Sequence, residues 1–237
     1  MGVGTGTGRR SGEGGGLSGD LTLSEQLFER YCERYGIPYQ RVSATGARSP
    51  DYEMALAGQR IVVEVKEIEP NDNEKAAMER TARGEFVVHH LTPGERVRRK
   101  ITSQSGQIRA RAQGVLPGLL VLFDDGLVIR HLDPYQIRVA MEGFDTVVLA
   151  VPRDPREEIR NLGTKAGKRK KMTPTDNTSV SAIGVLALDE HGQPALTIYH
   201  NRHAAVPLDP AILRPIEVVQ FRLSHRAPGA IGEWVAL

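Results

Sequence analysis

The chain has 237 residues, 40% apolar and 25% charged, a balance that suits a globular fold with its own core and excludes fibrous or fully disordered chains. A net charge of +2 and a pI near 8.7 suit a polyanionic partner without demanding one, and a single cysteine, Cys32, excludes an internal disulfide framework and fits the cytoplasm. No stretch approaches the ~18 apolar residues of a membrane span, so no membrane partner is expected.

Residues 1–19 are Gly-rich, carry Arg9 and Arg10, and offer nothing to bury, so they read as a flexible tail before a single domain over 20–237. Gly2, Gly4, Gly6 and Gly8 lack the preceding strand and following helix of a phosphate loop, and Gly6 stands where a myristoylation signal favours Ser or Thr. A helix is predicted over Leu23 to Tyr35, with Leu27, Phe28, Tyr31, Cys32 and Tyr35 on one stripe and Gly36 and Pro38 ending it. At roughly 100° per residue, Glu25 falls at the border of that stripe, while Glu29 and Glu33 point further towards solvent. Thr22-Leu23-Ser24-Glu25 is also a capping box, in which Glu25 would satisfy a backbone amide.

Arg41-Val42 starts a first strand, and Asp51 to Ala57 a second, joined through Ala57-Gly58-Gln59 to a third, Ile61-Val62-Val63-Glu64-Val65-Lys66-Glu67-Ile68. That third strand is too apolar for a surface position, yet an acid and a base interrupt it at alternate residues. Successive side chains point to opposite faces, so Glu64 and Lys66 project together, away from Val63 and Val65. Burying either charge alone costs several kcal/mol, and a hydrated divalent cation at the strand edge gives a reason for the pair. The hairpin brings Asp51 across from it as a second carboxylate. Two carboxylates and a backbone carbonyl suit magnesium, which prefers oxygen and keeps several waters.

Glu74 to Arg83 can form a short helix, and Phe86 to His90 an extra strand or ordered loop. His89 and His90, adjacent on a strand, face opposite sides and make a poor metal pair. A helix is predicted over Gly94 to Gln113, with Val97, Ile101, Ile108 and Ala112 buried and Lys100, Gln107 and Arg111 along one polar flank. With Arg96, Arg98, Arg99 and Arg109 it is the most basic structured element, which favours phosphate contacts, although charged flanks also serve simply as solvated faces. Leu119 to Phe123 reads as a central buried strand, Asp133-Pro134 to Gly143 as a capped helix, and Thr146 to Val151 as another strand. Residues 153–178 show no apolar periodicity, and Lys165, Lys168, Arg169, Lys170 and Lys171 make a basic, mobile loop there, suited either to a nucleic-acid backbone or to water. Val180 to Leu188 and Ala195 to Tyr199 form a hairpin, Tyr199 to His203 a turn rather than a zinc site, and Val218 to Leu223 a last strand.

Pro50, Asp51, Glu64, Val65 and Lys66, with twelve residues between Asp51 and Glu64, resemble the Pro-Asp…(Asp/Glu)-x-Lys motif of the restriction-endonuclease-like superfamily, as does the order of elements over about residues 20–125. The resemblance implies an α/β fold with a central mixed sheet flanked by helices, an α-β-β-β-α-β core, and here a C-terminal β extension. It implies a metal-dependent nuclease, a DNA endonuclease before an RNA one, using Mg²⁺ with Mn²⁺ as a substitute and leaving 5′-phosphate and 3′-hydroxyl ends. Asp51, Glu64 and the Val65 carbonyl would hold the metal, Lys66 would orient or help deprotonate the attacking water, and Glu25 would complete the site. Lys100, Gln107 and Arg111, with Lys168, Arg169, Lys170 and Lys171, would contact nucleic acid. Homodimers are frequent in such nucleases, though this chain carries no dimer signature. The alternative function is a nucleic-acid-binding module of the same fold without catalysis.

Overall fold

The computed structural model describes residues 21–42, 49–88, 92–124, 131–224 and 232–237. The Gly-rich tail and the His89–His90 pair lie outside them. Helix α1 (Leu23–Arg34) begins at Thr22, and its capping box is complete, with Thr22 accepting from the Glu25 amide and Glu25 accepting from the Thr22 amide. Its buried stripe of Leu27, Phe28, Tyr31 and Cys32 is the one the helical period requires. Strands β1 (Tyr39–Arg41), β2 (Tyr52–Leu56) and β3 (Gln59–Glu67) follow. Ala57 and Gly58 between β2 and β3 both have positive φ, 47° and 81°, the two-residue turn that matches strand twist and pins Leu56 opposite Gln59.

Two helices, α2 (Asp72–Ala82) and α3 (Glu95–Ala112), then lead to β4 (Gly118–Phe123). The order through β4 is the expected α-β-β-β-α-β with α2 added. Helix α4 (Pro134–Glu142) starts on the Asp133 cap with proline in its first turn and ends at Gly143. Strands β5 (Asp145–Ala150) and β6 (Arg160–Ala166) pair with each other as a separate antiparallel ribbon. Strands β7 (Ala182–Leu188), β8 (Pro194–His200), β9 (Val219–Leu223) and β10 (Trp234–Ala236), with the short helix α5 (Pro210–Leu213) before β9, complete the chain.

The main sheet is mixed and eight-stranded, in the order β1-β2-β3-β4-β7-β8-β9-β10. It is parallel at β3–β4, β4–β7 and β8–β9 and antiparallel elsewhere. The C-terminal strands thus continue the central sheet through β7. Alternation divides β3 between two cores: Ile61, Val63 and Val65 pack on the α1 side, while Val62 and Ile68 pack with Val97, Ile101 and Ile108 of α3 and with α4. Glu64 and Lys66 share the parity of Val62, so they belong to the α3 side.

Residues 153–178 depart from the expected mobile loop. They contain β6, and the basic run after it is tied down: Phe144 N–H donates to Lys168 O at 3.3 Å, and Met172 N–H to Met141 O at 3.1 Å. Met172 is fully buried beside α4. A buried side chain and backbone bonds that also include Gly167 N–H to Phe144 O and Lys171 N–H to Ala140 O hold in place a segment whose composition looks entirely solvated.

Candidate metal centre

The sheet's register explains how three oxygens come to one edge. The Val62 N–H donates to Pro117 O and the Ile68 N–H to Phe123 O, so even-numbered residues of β3 bond towards β4. Odd-numbered ones bond towards β2, whose pairing ends at Tyr52 opposite Val63. Val65 therefore has no strand partner on that side, and its N–H donates instead to Asp51 Oδ2 at 2.8 Å. In an extended residue N–H and C=O point to the same edge, so the Val65 carbonyl emerges beside Asp51. On the α3 face, Lys66 Nζ lies 2.8 Å from Glu64 Oε1 and 2.9 Å from Asp51 Oδ2. Asp51, Glu64, Val65 and Lys66 are thus brought together.

Glu64 is wholly buried, its side chain 0% exposed, against 20% for Asp51 and 27% for Lys66. Burial, and then the Asp51 charge, push the Glu64 carboxyl up to about 7 in spite of the Lys66 ammonium. Burial alone would lower Lys66, but its contacts with Glu64 and Asp51 outweigh that and raise it, so the ammonium stays protonated at neutral pH. Glu64, held under strained electrostatics by one shared cation, gains from additional positive charge. With Asp51 and the Val65 carbonyl it forms an all-oxygen set that fits Mg²⁺ or Mn²⁺ retaining several waters. No group of three or more His, Cys, Asp and Glu with metal-binding geometry occurs among the described residues, so water and substrate oxygens would complete the coordination.

Glu64 also gives the metal-free protein a pH signature. The folded carboxyl keeps its proton to about pH 7, whereas the unfolded one releases it near its ordinary 4.5. The folded state therefore binds more protons between these values, and the contribution, at most about 3 kcal/mol, is complete below pH 4.5 and lost as pH rises through 7. Urea unfolding in chelator should show this fall between pH 5 and 8, and Glu64→Gln should flatten it. An unchanged slope in that variant would assign the pH dependence to other groups.

Gln107 of α3 reaches the same carboxylate. With its amide turned to donate, Gln107 Nε2 lies 3.2 Å from Glu64 Oε2 and within bonding distance of Oε1, and 2.7 Å from Gln104 Oε1. Its amide therefore bonds and orients the acid. Lys100, two turns earlier on the same flank, is half-buried; burial and then the Lys66 charge lower its pKa, which places it close to Lys66. Arg111 is bound to Glu53 of β2, as is Arg60, so it is an exposed structural ion pair and not a free phosphate contact.

Glu25 is not brought to the centre. Its Oε2 accepts from the Thr22 N–H at 2.8 Å and the Thr22 hydroxyl at 2.7 Å, and α1 packs on the opposite face of the sheet from Glu64. The capping role is the one realised. Glu25→Ala should cost about 1 kcal/mol in thermal unfolding and leave metal affinity, read by calorimetry with Mn²⁺, unchanged. A drop in that affinity would return Glu25 to the site. Glu29 points less to solvent than the helical projection suggests: Arg41 binds it at 2.6 and 2.8 Å and the Tyr52 hydroxyl at 2.9 Å. Arg41 first, then Tyr52, hold its carboxyl below the usual range. The acid fastens β1 and β2 to α1, which sets the hairpin end bearing Asp51.

Of the basic run, Lys168, Arg169 and Lys170 are exposed and Lys171 half-buried. Arg169 and Lys171 line a cleft with Arg98 and Arg99 of α3, not with Gln107. Arg98 is the residue sequence reasoning passed over as one more surface base. Its signal was its position, between Val97 and Ile101 and three residues before the latter, which is the buried stripe of the helix.

No family model, curated protein or solved structure matches the chain. No helix among the described residues is long and apolar enough to cross a membrane.

Proposed function

We propose that the protein is a metal-dependent phosphodiesterase, a nuclease acting on DNA before RNA. The observation that carries this reading is the meeting of Asp51, the fully buried Glu64 and the Lys66 ammonium, at 2.8 and 2.9 Å, beside a strand edge whose Val65 carbonyl has no β2 partner. A buried acid–acid–ammonium group costs stability unless a further cation or a phosphate uses it. When bound, magnesium supplies Lewis acidity and a water of lowered pKa. Asp51, Glu64 and the Val65 carbonyl would hold it. Lys66, protonated at neutral pH, acts as a donor: it orients the attacking water or neutralises a non-bridging phosphoryl oxygen, and it does not serve as the base. Gln107 keeps the Glu64 carboxylate turned to the edge. Lys100, the second ammonium near Lys66, adds a phosphate contact.

A specific observation favours a second reading, a nucleic-acid-binding module without catalysis. Lys66 bonds both carboxylates at once, and Glu25, the third acid expected, caps its own helix. One experiment separates the two. Single-stranded, duplex and branched DNA, and RNA, are incubated with the protein in Mg²⁺, Mn²⁺ or chelator. Metal-dependent cleavage supports the nuclease; binding of the same substrates at equal affinity with and without metal, and no product, supports the module.

A further inference from the structure

A second electropositive site lies on the other flank of α3. A cleft of about 490 Å³ opens between the first turns of that helix and the tied-down basic segment, lined by Arg98, Arg99, Arg169 and Lys171 and by one carboxylate, Glu95. Glu95 is already bound by Arg99 at 2.5 Å. Arg98, Arg169 and Lys171 are left without an ion pair among the described residues.

Arg98 is the anomaly. It is only 5% exposed, and both terminal guanidinium nitrogens are buried with no hydrogen-bond partner. Its guanidinium lies 4.9 Å over the Phe144 ring, and that of Arg169 lies 5.9 Å over the same ring. A ring face offsets part of one cation's desolvation, about 0.5–2 kcal/mol, but satisfies no N–H donor. Two guanidiniums on one ring also repel: burial and then Arg169 lower the Arg98 pKa. The arrangement is nonetheless fastened. Arg169 sits at φ 68°, a conformation costly for a residue with a side chain, between the Lys168 and Met172 backbone bonds that fix its segment. Residues held at such a cost, with unmet donors between them, call for an oxyanion, since a phosphate takes guanidinium forks in parallel pairs.

We propose that this cleft is a phosphate-binding site, in which Arg98 and Arg169 clamp a phosphate group of a nucleic-acid strand. Arg169, exposed above the ring, moves outward to admit the anion and closes over it, while Lys171 supplies a third charge. The site does not depend on the metal centre's being catalytic. The phosphate is either the terminal monoester of a strand or an internal diester, and both chemistries use the same donors.

The test uses full-length protein in chelator, so that its result is independent of cleavage. Thermal unfolding is followed in sodium phosphate and in sodium chloride of equal ionic strength. Anisotropy then measures binding of one labelled single-stranded oligodeoxynucleotide with a 5′-phosphate and with a 5′-hydroxyl. Phosphate at ten times its dissociation constant should raise the midpoint by about 3–5 °C over chloride. Arg98→Met and Arg169→Ala should abolish the rise and weaken strand binding about tenfold; should Arg98→Met fail to fold, the exposed Arg169→Ala decides alone. Tighter binding of the 5′-phosphorylated strand identifies a terminal phosphate, and equal binding that still falls in Arg169→Ala identifies a chain phosphate. A rise no greater than in chloride, or one that Arg169→Ala leaves intact, overturns the site. Loss of the rise with strand binding unchanged overturns the strand as occupant.

Discussion

Lys66→Met and Asp51→Asn are each expected to slow phosphodiester cleavage by about 10²–10⁴-fold, by different routes. Lys66→Met keeps every oxygen of the candidate metal set and most of the side-chain volume, but leaves Asp51 and the buried Glu64 facing each other without the ammonium 2.8 and 2.9 Å away. Mn²⁺ affinity should therefore persist or rise while turnover collapses. Removing one partner of a buried charge pair costs about 3–5 kcal/mol where the other cannot neutralise. Glu64 can, because its carboxyl already titrates near 7. The metal-free variant should thus be markedly less stable than the parent at pH 8, close to it at pH 6, and restored at pH 8 by Mn²⁺. Asp51→Asn retains an oxygen to accept from the Val65 N–H but loses a negative charge, so its first loss should be in metal affinity. Initial rates across a Mn²⁺ series, with calorimetric binding of Mn²⁺, separate the two patterns. Cleavage unchanged in either variant removes the mechanism.

The parts of this centre that the sequence made legible are those governed by one strand's own period. Val62, Glu64, Lys66 and Ile68 alternate with Val63 and Val65, so the shared face of the charged pair follows from the pleat alone, and the Ala57-Gly58 turn fixes the hairpin that carries Asp51. The α4 caps at Asp133, Pro134 and Gly143 were equally local. Contacts set by other elements were not. Glu25 and Glu29 are one turn apart, and the helical projection ranked them by angle. It could not include Arg41 and Tyr52 arriving from β1 and β2 to claim Glu29, whereas the Thr22 amide that claims Glu25 belongs to the capping box legible in Thr22-Leu23-Ser24-Glu25. The placement of β7 beside β4, and the burial of Met172 within a run of lysines, likewise depend on distant segments that leave no period of their own.

Gly118→Ala is expected to cost more than the about 3 kcal/mol at which overpacking a core usually stops. Gly118 begins β4, where its N–H donates to the Ser181 hydroxyl at 2.9 Å and its carbonyl accepts from the Ser181 N–H at 2.7 Å. A methyl group there would meet Ile108 of α3 on one side and the Ser179 carbonyl on the other, both nearer than the 3.0 Å that Cβ atoms keep. Ile108 could rotate, but the Ser179 carbonyl is main chain on the segment entering β7 and has no such freedom. Relief therefore requires β4 to move against β7 or β3, and Leu120 of β4 stands opposite Glu64 in that parallel pairing. Stability and Mn²⁺ affinity should fall together. Gly106, inside α3 with nothing within 4 Å of its would-be methyl, provides the contrast. There alanine should stabilise by about 0.5–1 kcal/mol through helix propensity and a less free unfolded chain. Urea midpoints shifted in the same direction by both substitutions would show that Gly118 is not the close approach it is taken to be.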